Sequence, residues 1–306
     1  MMKIFTNCMT IVFILIIFSA CGSESQTETP ADINQTKDTT QVAQSKIVRI
    51  NLAKVAQDQG KTPLEYLEDE FDKKHPSAFV LEDQMIFNPW SDAVPSSIRF
   101  STDNWASQFD FTGIAWNSIK AGALVTNQHI IVVAHFARGV GQKVYFYTKD
   151  GVKIVRTVVA LKYLSKYDST IIDGCIEKLD APLPDTIKVY PLIDPSGLGD
   201  FSSLEDAPSV YSDQRRKLFA GKITHLDTPK TMMWLWKNPK VDEIMFHNSV
   251  GGDSGSPMFF IIDGKLVFVS ALTGHATSTA IQGHFYGYKS VYDALLLAIE
   301  DMKDIH

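Results

Sequence analysis

From about residue 95 onward the chain is a succession of short runs rich in Val, Ile, Phe and Tyr: GALVT, IIVVA, KVYFYT, KLFAGKIT, EIMFH, PMFFII and KLVFVSAL. Turn-forming residues such as Lys149-Asp150-Gly151 and Asp263-Gly264 separate them. Runs of this length and composition form strands. Many short strands in one body bury their apolar faces by closing into a barrel or stacking as a sandwich. An antiparallel all-β body is therefore expected. One later stretch, SVYDALLLAIEDMKD (290–304), has helical periodicity and is expected to close the body as a helix.

Cysteine usage limits how such a body can be held together. There are three, Cys8, Cys21 and Cys175, and the first two lie near the start. The opening residues, MMKIFTNCMTIVFILIIFSAC, place one lysine before an apolar run that ends in small residues at Cys21. That is the pattern of a signal peptide, too short for a membrane span. Phe18-Ser19-Ala20-Cys21 resembles the bacterial lipobox, with Phe where leucine is usual. The resemblance implies a leader over 1–21 that is removed behind a diacylated Cys21. The chain would then be exported and lipid-anchored in the cell envelope, on its periplasmic or cell-surface side. Cys175 alone remains in the body and reads as a small buried apolar residue, so no internal disulfide can form. The fold must rest on its core, for which 45% hydrophobic residues are ample.

Residues 22–45 hold almost no large apolar side chains and read as a disordered tether. Residues 46–95 form an N-terminal extension that could serve as a pro-segment, a docking element or packing for the main body. It is partly helical, because TPLEYLEDEFDKKHP sets Leu64, Leu67 and Phe71 at helical spacing between Pro63 and Pro76. Residues 96–306 form the main domain. A net charge of -6 without clustered Lys or Arg argues against nucleic acid as a partner.

The chemistry centres on HNSVGGDSGSPMFF (247–260), where Ser254 stands between Asp253 and Gly255. A serine becomes a nucleophile only when a base takes its proton and donors receive the oxyanion, and flanking glycines let backbone amides approach the reacting carbon. Gly252-Asp253-Ser254-Gly255-Ser256-Pro257 resembles the G-D-S-G-[GS]-P motif of trypsin-like (chymotrypsin-fold) serine peptidases. The resemblance implies an all-β fold of two antiparallel six-stranded β-barrels with a C-terminal helix, here with the partly helical extension in front. It implies Ser254 as nucleophile and the amides of Gly252 and Ser254 as oxyanion hole. It places Asn248, six residues before the nucleophile, at the base of the substrate pocket. With no carboxylate there, a preference for Lys or Arg is not expected. The opposite wall would come from 270–273, in either of two registers.

The histidine has two candidates. Thr126-Asn127-Gln128-His129-Ile130-Ile131 resembles the T-N-x-H-V-V of glutamyl endopeptidases and periplasmic stress proteases, and Val133-Ala134-His135-Phe136 resembles the A-A-H-C of trypsin relatives. In the trypsin pattern a glycine opens a strand and the histidine closes the returning one thirteen residues later, as Gly122 and His135 do. His129 would fall in the turn. His135 is preferred. The aspartate is Asp173 or Asp168. Asp173 fits the family spacing to Leu179 and Pro182, although Glu177 is odd at an apolar site; Asp168 precedes a better apolar run but needs an insertion. Asp173 is preferred, and the chain order His, Asp, Ser matches the family.

The resemblance therefore implies a serine endopeptidase acting on a protein or peptide through His135, Asp173 and Ser254, with no cofactor or metal required. A catalytically silent, surface-anchored binding protein on the same fold remains the alternative. Trypsin relatives often pair a new N-terminus with the aspartate before the serine, here Asp253; the only look-alike, Lys46-Ile47-Val48, lacks the glycines. His75, His225, His247, His275, His284 and His306 lack metal-ligand spacing and read as surface or core residues. Arg215-Arg216 reads as a solvated loop.

Overall fold

A computed structural model describes residues 47–306, except 77, 89–98, 118–119, 199–200, 240, 242, 278–279 and 306. The leader over 1–21, the lipidation of Cys21 and the tether over 22–45 lie outside the described residues.

The extension begins with β1 (Arg49–Ile50), α1 (Leu52–Asp58) and α2 (Pro63–Lys74). Thr62 caps α2: its hydroxyl accepts the Glu65 amide while Glu65 Oε2 accepts the Thr62 amide at 2.8 Å. The helix ends at Lys74, ahead of Pro76, and buries Tyr66, Leu67 and Phe71.

Next come β2 (Ile114–Asn117), β3 (Lys120–Thr126), β4 (His129–Val133), β5 (Lys143–Tyr147), β6 (Lys153–Tyr163) and β7 (Gly174–Leu179). They close an antiparallel barrel in the order β2-β3-β4-β7-β6-β5. After β8 (Leu192–Ile193) come β9 (Pro208–Ser212), β10 (Leu218–Asp227), β11 (Met232–Lys237), β12 (Pro257–Ile262), β13 (Lys265–Thr277) and β14 (Ala280–Phe285). These join in the order β9-β10-β11-β14-β13-β12, and pairing of β12 with β9 closes the ring. Numbered within each barrel, both run first, second, third, sixth, fifth, fourth and back to the first. The fold is therefore all-β, two antiparallel six-stranded barrels of one topology. A closing helix, α3 (Lys289–Glu300), is followed by turns where the sequence suggested four more helical residues.

Period-two alternation explains why β4 is a continuous apolar run. Ile130 and Val132 point into the first barrel beside Leu124, Val144, Phe146 and Cys175. Ile131 and Val133 point the other way, into a larger core shared with the second barrel and the extension. Gly122 sits where an added Cβ would lie 2.6 Å from Val132 Cγ1, so this site in the first barrel takes only glycine. Cys175 is fully buried, which pushes its thiol up.

Glu177, odd at an apolar position, is completely buried on β7 and answered by the equally buried Arg138. Arg138 donates to it through Nη1 at 3.0 Å and through its backbone amide at 2.5 Å, and Arg138 Nη2 reaches the carbonyls of Ala115 and Lys120. Two expectations need correction. EIMFH (243–247) is not a strand: Glu243–Met245 make a single 3-10 turn, with Met245 buried beside Gln84. Arg216 is not solvated either; it is buried, 5.4 Å over the ring of Trp116.

The extension packs on the second barrel. β1 pairs in parallel with β8, which in turn pairs with β13. Tyr66 Oη donates to Asp263 Oδ1 at 2.8 Å, and Glu70 Oε2 accepts the Gly264 amide at 2.7 Å, so α2 seats the β12–β13 turn. Met85 bridges to Lys217, and the Ile86 amide donates to Arg216 O.

Candidate active site

Strand pairing delivers the first two side chains. β4 and β7 pair so that Val133 faces Gly174, which brings the residues just after β4 beside the one just before β7. There the chain makes a 3-10 turn, Ala134–Phe136, and the Ala134 amide donates to Asp173 O at 2.9 Å. The Asp173 carboxylate then takes two bonds from one residue: Oδ1 accepts the His135 backbone amide at 2.9 Å, and Oδ2 meets His135 Nδ1 at 2.8 Å. A carboxylate only accepts, so Nδ1 carries the proton and Nε2 is left as an acceptor. The Ser254 hydroxyl lies 2.8 Å from that Nε2. The ring is half exposed while Asp173 is mostly covered.

Ser254 is held by the second barrel. β12 starts three residues later and pairs with β13 at Pro257 and Ala271. The ladder continues backward toward the serine, because Leu272 N donates to Ser256 O at 2.9 Å and Gly255 N to Leu272 O at 2.8 Å. The Asp253 amide donates to Val250 O and the Ser256 amide to Asp253 O. Among the described residues no acceptor takes the amide of Gly252 or of Ser254. Gly252 has φ +106, a left-handed value that favours glycine, and its face lies against the Gln214 side chain.

The two alternatives stand elsewhere. His129 is not in the turn but opens β4, almost wholly buried, with Nδ1 2.8 Å from Thr126 Oγ1. Burial pushes its pKa down to about 4, and the Lys178 charge adds to this. Asp168 organises its own turn, accepting Thr170 Oγ1 at 2.7 Å and the Thr170 amide at 2.9 Å, which lowers its pKa. Asn248 is exposed, while Ser270, Ala271 and Leu272 are buried and Thr273 is the first half-exposed residue of that wall.

Two histidines that read as surface or core residues stand beside the expected site. His284 on β14 is buried and accepts the Asp173 amide at Nε2 (3.2 Å), its Nδ1 lying 2.9 Å from Thr231 Oγ1. Burial holds it below the usual imidazole range, which keeps it the neutral acceptor this bond needs. His247 Nε2 lies 3.2 Å from Asp253 Oδ2. Nothing local in the sequence marks either one; only the packing of the second barrel against the first brings His284 to residue 173. Among the described residues, Asp213, His247 and Asp253 bring possible ligand atoms within 4.8 Å of one another. Both Asp253 oxygens already accept hydrogen bonds there, from Gln214, Val250 and His247.

In topology the fold is chymotrypsin-like: two six-stranded antiparallel barrels, with the Asp, His and Ser side chains in line between them. No family model matches the sequence, and no curated protein matches it.

Proposed function

We propose that this chain is a serine endopeptidase, exported and anchored to the cell envelope by lipid at Cys21. The observation that carries the reading is the unbroken line Asp173 Oδ2, His135 Nδ1, His135 Nε2, Ser254 Oγ, with both gaps at 2.8 Å. A base must lie within hydrogen-bond reach of the proton it takes, and its own orientation must be fixed by a third group.

In this reading Ser254 Oγ attacks the carbonyl carbon of a peptide bond while its proton passes to His135 Nε2. The Asp173 carboxylate stabilises the imidazolium through Nδ1–H and holds the ring through the His135 backbone amide. The amides of Gly252 and Ser254 receive the charge on the carbonyl oxygen. The tetrahedral species collapses as Nε2–H protonates the departing amine, leaving an acyl group on Ser254. Water then repeats the sequence, giving its proton to Nε2 and releasing the acid. Asn248, neutral and exposed, stays the candidate contact for the substrate side chain.

Fluorophosphonate labelling of the full chain tests the reading, with Ser254→Ala, His135→Ala and His129→Ala beside it. Labelling is expected in the wild type and in His129→Ala, with a loss of at least about 1000-fold in Ser254→Ala and His135→Ala. A wild type that takes no label would favour a silent binding protein on the same fold.

A further inference from the structure

A buried carboxylate persists only where donors surround it, because a low dielectric penalises its charge. Asp253 is 1% exposed. Oδ1 accepts the Gln214 amide at 3.1 Å; Oδ2 accepts the Val250 amide at 2.8 Å and His247 Nε2 at 3.2 Å. Gln214 grips the same loop again: its side-chain Nε2 donates to Gly251 O at 2.9 Å, and an added Cβ on Gly252 would lie 2.3 Å from its Oε1.

His247 is itself immobilised. Its backbone amide donates to Tyr211 Oη at 2.9 Å, while Tyr211 Oη donates to His247 O at 2.9 Å. Its ring stacks on Phe219 with centroids 5.1 Å apart. Tyr211 lies on β9 and Phe219 on β10, so backbone and ring are both tied to the barrel wall.

The consequence falls on the peptides between these grips. Gln214 fixes Gly251 O, His247 and Gln214 fix the Asp253 carboxylate, and the amides of Gly252 and Ser254 lie in between with no protein acceptor among the described residues. At a glycine with φ +106 a peptide flip has little steric opposition, so the hydrogen bonds must supply it. Resting on Ser254 as the nucleophile, we propose that His247 and Gln214 are positioning residues that hold 251–254 so that both amides meet the oxyanion. They do this from within the folded chain, with no terminus delivered by cleavage. Residue 47 agrees: it is buried beside β1, whose neighbour Val48 gives its carbonyl to Leu192.

The test is the kinetics of fluorophosphonate labelling, since the phosphoryl oxygen must occupy the same pair of amides. The full wild-type chain is compared with His247→Leu, which keeps bulk against Phe219 but loses the donor, with His247→Gln, which keeps an N–H donor, and with Gln214→Ala. Urea unfolding establishes that each variant is folded. His247→Leu is expected to lower the maximal labelling rate roughly 10- to 100-fold, with the half-saturating probe concentration changed less than about twofold. His247→Gln should recover to within about fivefold, and Gln214→Ala should fall about 5- to 10-fold. Folded His247→Leu and Gln214→Ala chains that label at the wild-type maximal rate would overturn the proposal, as would a His247→Gln no better than His247→Leu. Should His247→Leu fail to fold, Gln214→Ala carries the test alone, because its side chain is half-buried and its bond to Gly251 is exposed. A wild type without label overturns the hydrolase reading and this proposal together, whereas a labelled wild type with unaffected variants overturns this proposal alone.

Discussion

His129 and His135 stand six positions apart, and burial gives them opposite chemistry. His135 stands half exposed with a bond at each ring nitrogen, while His129 lies inside the barrel wall with no partner for Nε2 among the described residues. A folded pKa of about 4 lies below the usual 6.5, so between those values the unfolded chain binds more protons than the folded one. Stability from this group is complete above about pH 6.5 and is lost as pH falls toward 4, by up to about 3 kcal/mol. His284, also lowered, acts with the same sign. Asp213 opposes them: burial pushes it up to about 6, so its ionisation removes stability as pH rises from about 4 to 6. His129→Gln should therefore change the slope, not merely the level, of the pH dependence. Urea unfolding at pH 4.5 and 8 should show the wild type losing roughly 2 to 3 kcal/mol more than the variant on acidification, while labelling at pH 8 is unchanged. At this scale the sequence was readable where chemistry is local. The GDSGSP string and the Gly122–His135 spacing pointed to side chains that now lie within bonding distance. It failed for Arg216, and it gave no sign that the buried His284 meets Asp173; the partners Trp116 and Asp173 stand about a hundred positions away.

Two strands were legible from unbroken apolar runs alone. β4 and β12 read correctly because unbroken apolar runs suit strands covered on both sides. EIMFH has only a three-residue apolar centre and turns once before it stops, since a short apolar run looks alike in either backbone. The register of 270–272 was open for a related reason: all three residues are buried, so alternation gives no clue. β7 shows how an apparent misfit fixes an element. Glu177 accepts the backbone amide and the guanidinium of Arg138, three residues after His135, and so ties the turn that carries the imidazole to the strand that follows Asp173. Removing one partner of such a pair strands a buried charge, which costs about 3 to 5 kcal/mol, whereas replacing both by apolar groups is often close to neutral. Glu177→Leu is expected to lose about that much in urea unfolding. The double variant Arg138→Met with Glu177→Leu should recover most of it. Equal losses in single and double variants would mean that packing, not the ion pair, dominates.

At the scale of the whole molecule the question is whether the extension is a removable cover or part of the body. Its large side chains belong to the same apolar cluster as both barrels: Leu52, Tyr66, Leu67, Phe71, Ile86 and Phe87 are each no more than 2% exposed within it. At about 2 kcal/mol per buried side chain, losing the four that precede residue 85 would remove on the order of 8 kcal/mol, comparable to the 5–15 kcal/mol by which domains of this kind are stable. A pro-segment that leaves an active enzyme behind must be held by much less. Position adds to the argument, since Ile86 N donates to Arg216 O within the turn that also carries Gln214. Deleting everything before residue 46 should leave the urea midpoint and the labelling rate within error of the full chain. Deleting through residue 84 should abolish the cooperative transition. A deletion through 84 that still unfolded cooperatively and labelled at the full rate would show that the barrels need no cover, and the extension would then have to be explained by what it binds.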